Sequence, residues 1–197
     1  MNKKELVLKN INAKEVLSYY KAVKDSIKRN DDDYKEVLNN FYLHEINHAS
    51  KKVSLLFMDG YLLQIRSFSF LECTFGVGDL IPVESFNISI DKNSSITITQ
   101  DENEIQTRNN KKALYNYLPM GEFPPITEMI NRWLELKPIE GISNNFNINP
   151  KLLLSCLDDN DKALNIVYYG DNSPLRINTM NGQLRGFITP IKNKKKG

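Results

Sequence analysis

Both histidines of the chain fall in one short stretch, H-E-I-N-H (His44 to His48), with the H-E-x-x-H spacing of zinc peptidases. On a helix, residues four apart share a face. Two imidazoles there can hold one zinc ion while the intervening glutamate takes a proton from the metal-bound water. The chemistry needs a third ligand. With no further histidine, a carboxylate such as Glu72 must supply it, yet Glu72 sits in S-F-L-E-C-T-F, a strand-like run.

The element under the motif reads two ways. Asp33 and Glu36 are spaced as a capping box, and Val37, Leu38, Phe41 and Tyr42 fit one face of a helix. The wider segment from Val37 to Ile105 consists instead of short apolar runs separated by turn signals, the pattern of strands. Asp59-Gly60 separates V-S-L-L-F from Y-L-L-Q-I-R-S-F as a tight turn. Pro82 opens a short helix over 83–90. S-I-T-I-T-Q, D-E-N and E-I-Q-T-R form a hairpin, and K-A-L-Y-N-Y-L alternates in the same way.

Amphipathic helices are predicted on either side of this block. Over residues 13–29, Val16, Leu17, Tyr20, Val23 and Ile27 make one apolar stripe, with Lys14, Lys21, Lys28 and Arg29 off it. After Phe123-Pro124-Pro125, the spacing of Ile126, Met129, Ile130, Trp133 and Leu134 predicts a short helix ending near Pro138. Asn149-Pro150 starts another, with Leu153, Leu154 and Leu157 on its apolar side. Strands follow at 163–169 and 173–177, and Asn181-Gly182 turns into Q-L-R-G-F-I-T-P-I. The unit of short helix, strand, turn and strand thus occurs twice, at 82–108 and at 150–177, which indicates a pseudo-symmetric α+β architecture.

Composition narrows the classes. The chain has 197 residues, of which 41% are hydrophobic and 25% charged, ordinary values for a globular protein. No apolar run is long enough for a membrane span, and M-N-K-K-E-L-V-L-K lacks the apolar core of a signal peptide. Cys73 and Cys156 are too few and too far apart for a disulfide framework, so a reducing, cytoplasmic compartment is expected. A net charge of +2 does not by itself argue for nucleic acid. The basic tail over 193–197 reads as a solvated end.

In their order, these motifs resemble the bacterial sliding clamp, the beta subunit and processivity factor of the replicative DNA polymerase. The resemblance is carried by the helix at 13–29, F-M-D-G-Y-L-L (57–63), L-I-P-V-E-S-F (80–86), I-T-I-T-Q-D-E-N-E-I-Q-T-R (96–108) and M-G-E-F-P (120–124). Towards the C-terminus it continues in F-N-I-N-P-K-L-L-L-S-C-L, D-N-S-P-L-R-I and F-I-T-P-I-K. It implies an α+β, DNA-clamp-like fold with one full clamp domain plus part of a second. Residues 1–124 correspond to a middle clamp domain, 125–144 to a linker with a short helix, and 145–192 to the end of a last domain. Clamp chains have three domains, so this one is shortened.

The resemblance implies a non-enzymatic DNA replication protein, without cofactor or metal, that forms a homo-oligomer. Two sites follow from it. A peptide-binding slot for polymerase and repair proteins would be walled by Met58, Gly60, Tyr61, Leu62 and Leu63 on one side and Phe187, Thr189, Pro190 and Ile191 on the other. A DNA-facing helix would use Lys14, Lys21, Lys28 and Arg29 on phosphates, without sequence specificity. Thr189 stands where the family has an apolar residue, and Leu62 where it has a basic one. The same fold allows a decoy that takes up clamp-binding peptides without encircling DNA. In the clamp alignment V-L-N-N-F-Y-L-H-E-I is a strand, which separates His44 and His48 by about 13 Å and leaves the metal pair His44 and His48 as the minor alternative.

Overall fold

The computed structural model describes residues 3–9, 16, 19–24, 36–59, 61–88, 95–138, 148–157, 162–170 and 173–190. The chain divides into two compact units. Met1–Asp59 with Arg66–Phe123 forms the first, and Gly60–Ile65 with Pro124–Gly197 forms the second.

In the first unit eight strands are hydrogen-bonded in the order β5-β2-β3-β4-β1-β6-β7-β8. They are β1 (Lys4–Leu8), β2 (Asn40–Asn47), β3 (Lys52–Met58), β4 (Leu62–Cys73), β5 (Leu80–Pro82), β6 (Ile96–Gln100), β7 (Glu104–Arg108) and β8 (Ala113–Tyr117). The first four residues of β4 belong to the second unit. Alternation explains most of these strands: Leu6 and Leu8 of β1, Ile96 and Ile98 of β6, and Ile105 and Thr107 of β7 point into the core, their neighbours away from it. Residues 19–24 are helical; Val16, Tyr20 and Val23 of the predicted stripe are buried, and so is Tyr19, which was not assigned to it, while Leu17 and Ile27 lie outside the described residues. Tyr19 stacks on Phe41 at 5.1 Å between ring centroids, and Phe41 meets Phe86 edge-on at 5.0 Å.

The second unit adds α1 (Ile126–Leu134), α2 (Pro150–Ser155), β9 (Leu164–Val167), β10 (Leu175–Thr179) and β11 (Leu184–Ile188). β10 lies between β9 and β11, all antiparallel, and β11 pairs with the start of β4. Asn149 caps α2, its side chain accepting from Lys151 N at 3.0 Å, with Pro150 in the first turn. One face of this sheet (Leu62, Leu175, Ile177 and Ile188) packs with Leu152 and Cys156 from α2 and its end. Both helix–strand–strand units read from the sequence exist: the 3₁₀ turn Val83–Phe86 precedes β6 and β7, and α2 precedes β9 and β10.

Several expectations change. The helix after Pro82 is only the four-residue turn Val83–Phe86, and residues 89 and 90 lie outside the described residues. α1 ends at Leu134, before Pro138. The last strand stops at Ile188. β1 and β5 were not expected. The helix that H-E-x-x-H requires is not formed: Glu36–Asn39 is a single 3₁₀ turn and Asn40–Asn47 is strand. Among the described residues no helix is long and apolar enough to cross a membrane.

Candidate peptide-binding site

The backbone decides what the H-E-x-x-H residues can do. His44 is the extra residue of a β-bulge in β2, between the pairs Leu43↔Leu55 and Glu45↔Ser54. Its Nδ1 is buried and has no hydrogen-bond partner. Burial holds the imidazole below its ordinary pKa, with the Glu45 carboxylate opposing the shift. His48 lies in the exposed turn after β2, its ring edge-on to Phe70 at 5.7 Å. Among the described residues no group of three or more His, Cys, Asp or Glu side chains is placed to hold a metal ion. The metal alternative at His44 and His48 is set aside: strand spacing and the bulge send the rings to different environments.

The two predicted peptide walls do meet, and β-pairing brings them together. β11 runs antiparallel to the start of β4, with Ile188 opposite Leu62, Phe187 opposite Leu63 and Gly186 opposite Gln64. Beyond the strand end, Thr189 N donates to Tyr61 O at 2.9 Å, and the Thr189 hydroxyl donates to the same carbonyl at 3.2 Å. The contact is close enough to require glycine at 186, where an added Cβ would lie 2.0 Å from Leu63 O.

Opposed residues of an antiparallel pair share a face. Leu62 and Ile188 therefore point to α2, and Leu63 and Phe187 to the other side. Leu62, Leu63 and Phe187 are all buried, Leu62 on the α2 side of the sheet and Leu63 with Phe187 on the other. Tyr61 is 62% exposed, Thr189 is exposed and Pro190 half-buried. Met58 ends β3 in the first unit. Gly60 and Ile191 lie outside the described residues.

Two residues behind the edge were not assigned to it from the sequence. Trp133 packs on Phe187 with ring centroids 4.9 Å apart. Its spacing from the buried Ile126 and Ile130 already placed it on the inner face of α1. Gln64, fully buried, donates from Nε2 to Ser155 O at 2.7 Å and ties β4 to α2. Long-range pairing sets that contact, and no local pattern announces it.

Of the predicted DNA-facing residues, Lys21 is helical and exposed, while Lys14, Lys28 and Arg29 lie outside the described residues. On the same helical segment, Lys24 is ion-paired with Glu84.

The fold has close counterparts among solved structures. A DNA polymerase III beta subunit described as putative, from Eubacterium rectale, superposes with a TM-score of 0.64 at 12% identity, over 96% of this chain and 66% of its own. The Helicobacter pylori beta clamp bound to a DNA ligase peptide gives 0.66 at 12% identity, over 98% and 67%. A sliding clamp from Bartonella birtlesii bound to griselimycin gives 0.62 at 13% identity, over 96% and 66%. No protein-family model matches the chain, and no curated protein matches it in sequence. The chain thus has the α+β fold of bacterial sliding clamps and spans about two thirds of the clamp chains it superposes on.

Proposed function

We propose that this chain is a sliding-clamp-like replication protein that binds short linear peptides of polymerase or repair proteins at the edge formed by Tyr61–Leu63 and Phe187–Pro190. One observation carries the reading. The two segments that resemble the clamp peptide site, 128 residues apart at Tyr61 and Thr189, are joined by direct hydrogen bonds, and Tyr61 is left open to solvent beside Pro190. The Helicobacter pylori relative of the fold, in complex with a DNA ligase peptide, supports the same class of partner. Buried Leu63 and Phe187 beside an exposed aromatic at Tyr61 suit one or two apolar anchors of an extended peptide. Thr189 and Leu62 make the surroundings less apolar and less basic than the family pattern, so peptide preference should differ from that of a full clamp.

Whether the protein also encircles DNA is a separate part of the reading. Lys24 is occupied by Glu84, which thins the positive field around Lys21. This favours the version in which peptides are captured without a ring on DNA. The test is fluorescence anisotropy with a labelled peptide carrying an aliphatic and an aromatic anchor, alongside labelled duplex DNA. Micromolar peptide binding that Tyr61→Ala weakens about tenfold, the loss of a hot-spot aromatic, is the expected result. Binding unaffected by Tyr61→Ala would overturn the site. Salt-sensitive duplex binding lost in Lys21→Glu would favour the ring.

A further inference from the structure

Two apolar groups of the proposed site, which a peptide's anchors would have to touch, are closed off. Leu63 is 2% and Phe187 1% exposed, and side chains so fully covered offer a ligand no surface. They stand opposite each other where β4 pairs with β11, so they share a face of the sheet. What lies on that face belongs to the same chain. The Trp133 ring of α1 sits on Phe187, 4.9 Å away between centroids and tilted 54° to it.

α1 is packed on one side only. Ile126 and Ile130 are buried and Trp133 half-buried, at the i, i+4, i+7 spacing of one helical face, whereas Thr127, Glu128, Asn131 and Arg132 are exposed. The helix spans nine residues, and Pro125 at its N-cap gives no side-chain acceptor to the first turn. A helix that short has little stability of its own and is held by what its apolar face covers. Lifting it breaks a single layer of contacts. The pairing of β4 with β11 stays, and so does α2 on the other face of the sheet. The inward face of α1 carries one aromatic and two aliphatic side chains, the same kinds of group that serve as anchors of a bound peptide.

We infer, on the basis of the peptide reading above, that α1 is a resident cover of the proposed site: Trp133 holds the place on Phe187 of a peptide's aromatic anchor, and a peptide reaches Leu63 and Phe187 only by displacing it. Closure and binding then compete for one surface. The affinity observed is that of the open edge multiplied by the fraction of molecules in which α1 has lifted. Tyr61, 62% exposed, stays available for first contact while the cover is down.

Trp133 is the single tryptophan of the chain, so its fluorescence reports the cover in the unmodified protein. The probe is a tryptophan-free peptide with one aliphatic and one phenylalanine anchor. As the peptide saturates the full chain, Trp133 emission should move to longer wavelength and become more accessible to acrylamide quenching. Trp133→Ala, which removes the cover and leaves both walls intact, should bind the same peptide about tenfold more tightly. Tyr61→Ala should weaken binding in both proteins. Emission that stays in place or moves to shorter wavelength, in a complex that Tyr61→Ala weakens, would show that the peptide packs against Trp133 as a fixed wall. Weaker binding by a Trp133→Ala chain that still melts cooperatively would show the same. In either case the cover is overturned and the peptide site stands. Binding indifferent to Tyr61→Ala, or none by either chain, would remove the peptide reading itself and the cover with it.

Discussion

His44 shows how one residue type can serve a chemistry its backbone does not permit. Its bulged position half-buries the ring and leaves Nδ1 without a hydrogen-bond partner. Burial disfavours the charged imidazolium, so the folded pKa lies below the ordinary value of 6.5, against the weaker pull of Glu45. The sign follows directly. Below 6.5 the unfolded chain takes up a proton at this position that the folded chain does not, so stability is intact above 6.5 and falls as pH drops towards the folded pKa. Thermal melts between pH 7.5 and 5.5 should therefore show a loss that His44→Gln lacks. Equal losses in both proteins would place the pH dependence elsewhere. Zinc should not raise the melting temperature.

At the scale of elements, the junction of β4 and β11 decides both the fold of the second unit and its site. Gly186→Ala would place a methyl group 2.0 Å from Leu63 O, and a backbone carbonyl inside a strand pair cannot swing away. The two strands must separate, at a cost of about 3 kcal/mol or more. Urea denaturation should show it, with Gly76→Ala as a near-neutral control because its added carbon meets nothing closer than Asp79 Oδ2 at 3.8 Å. An unchanged midpoint for Gly186→Ala would mean that β11 is not seated on β4. Local signals made much of the architecture legible. Alternation announced the β6–β7 hairpin, Asn149-Pro150 announced α2, and the apolar stripe of 126–134 announced α1. β1 also has its signal, Leu6 and Leu8 alternating within K-E-L-V-L-K, but so short a run gives no local sign of the distant strands β4 and β6 that pair with it. The site was legible as two segments and not as a surface. The sequence could not reveal that Leu62 turns to α2, Leu63 and Phe187 to the other side and Tyr61 to solvent, because that division depends on how β4 pairs with β11. The helical reading of 34–48 failed for a related reason: capping and periodicity are local, whereas the pairing of β2 with β3 and β5 is not.

For the molecule as a whole, the two units differ in the core each can bury. The first encloses a broad apolar cluster running from Leu6 and Val16 through Phe41, Leu55, Phe57 and Phe86 to Ile105. The second, around α2, rests on Leu62, Leu152, Cys156, Leu175, Ile177 and Ile188. With so few side chains on the α2 side, one large deletion should remove most of its packing. Leu62→Ala removes a side chain 2% exposed at a cost of about 2–5 kcal/mol. Leu62 stands at the start of β4, whereas residues Phe70–Cys73 at its far end are held by Leu6, Val7 and Leu8 of β1. The loss should therefore stay local. Amide hydrogen exchange followed by mass spectrometry should show protection collapsing in α2, β9, β10 and β11 of Leu62→Ala. Segments in β2, β3, β6 and β7 should exchange as in the parent chain. If the proposed peptide reading holds, binding should disappear in the same variant, since β11 carries one wall of the proposed site. If β2 and β3 lose protection in step with β11, the two units unfold as one, and loss of peptide binding in this variant would say nothing about the site.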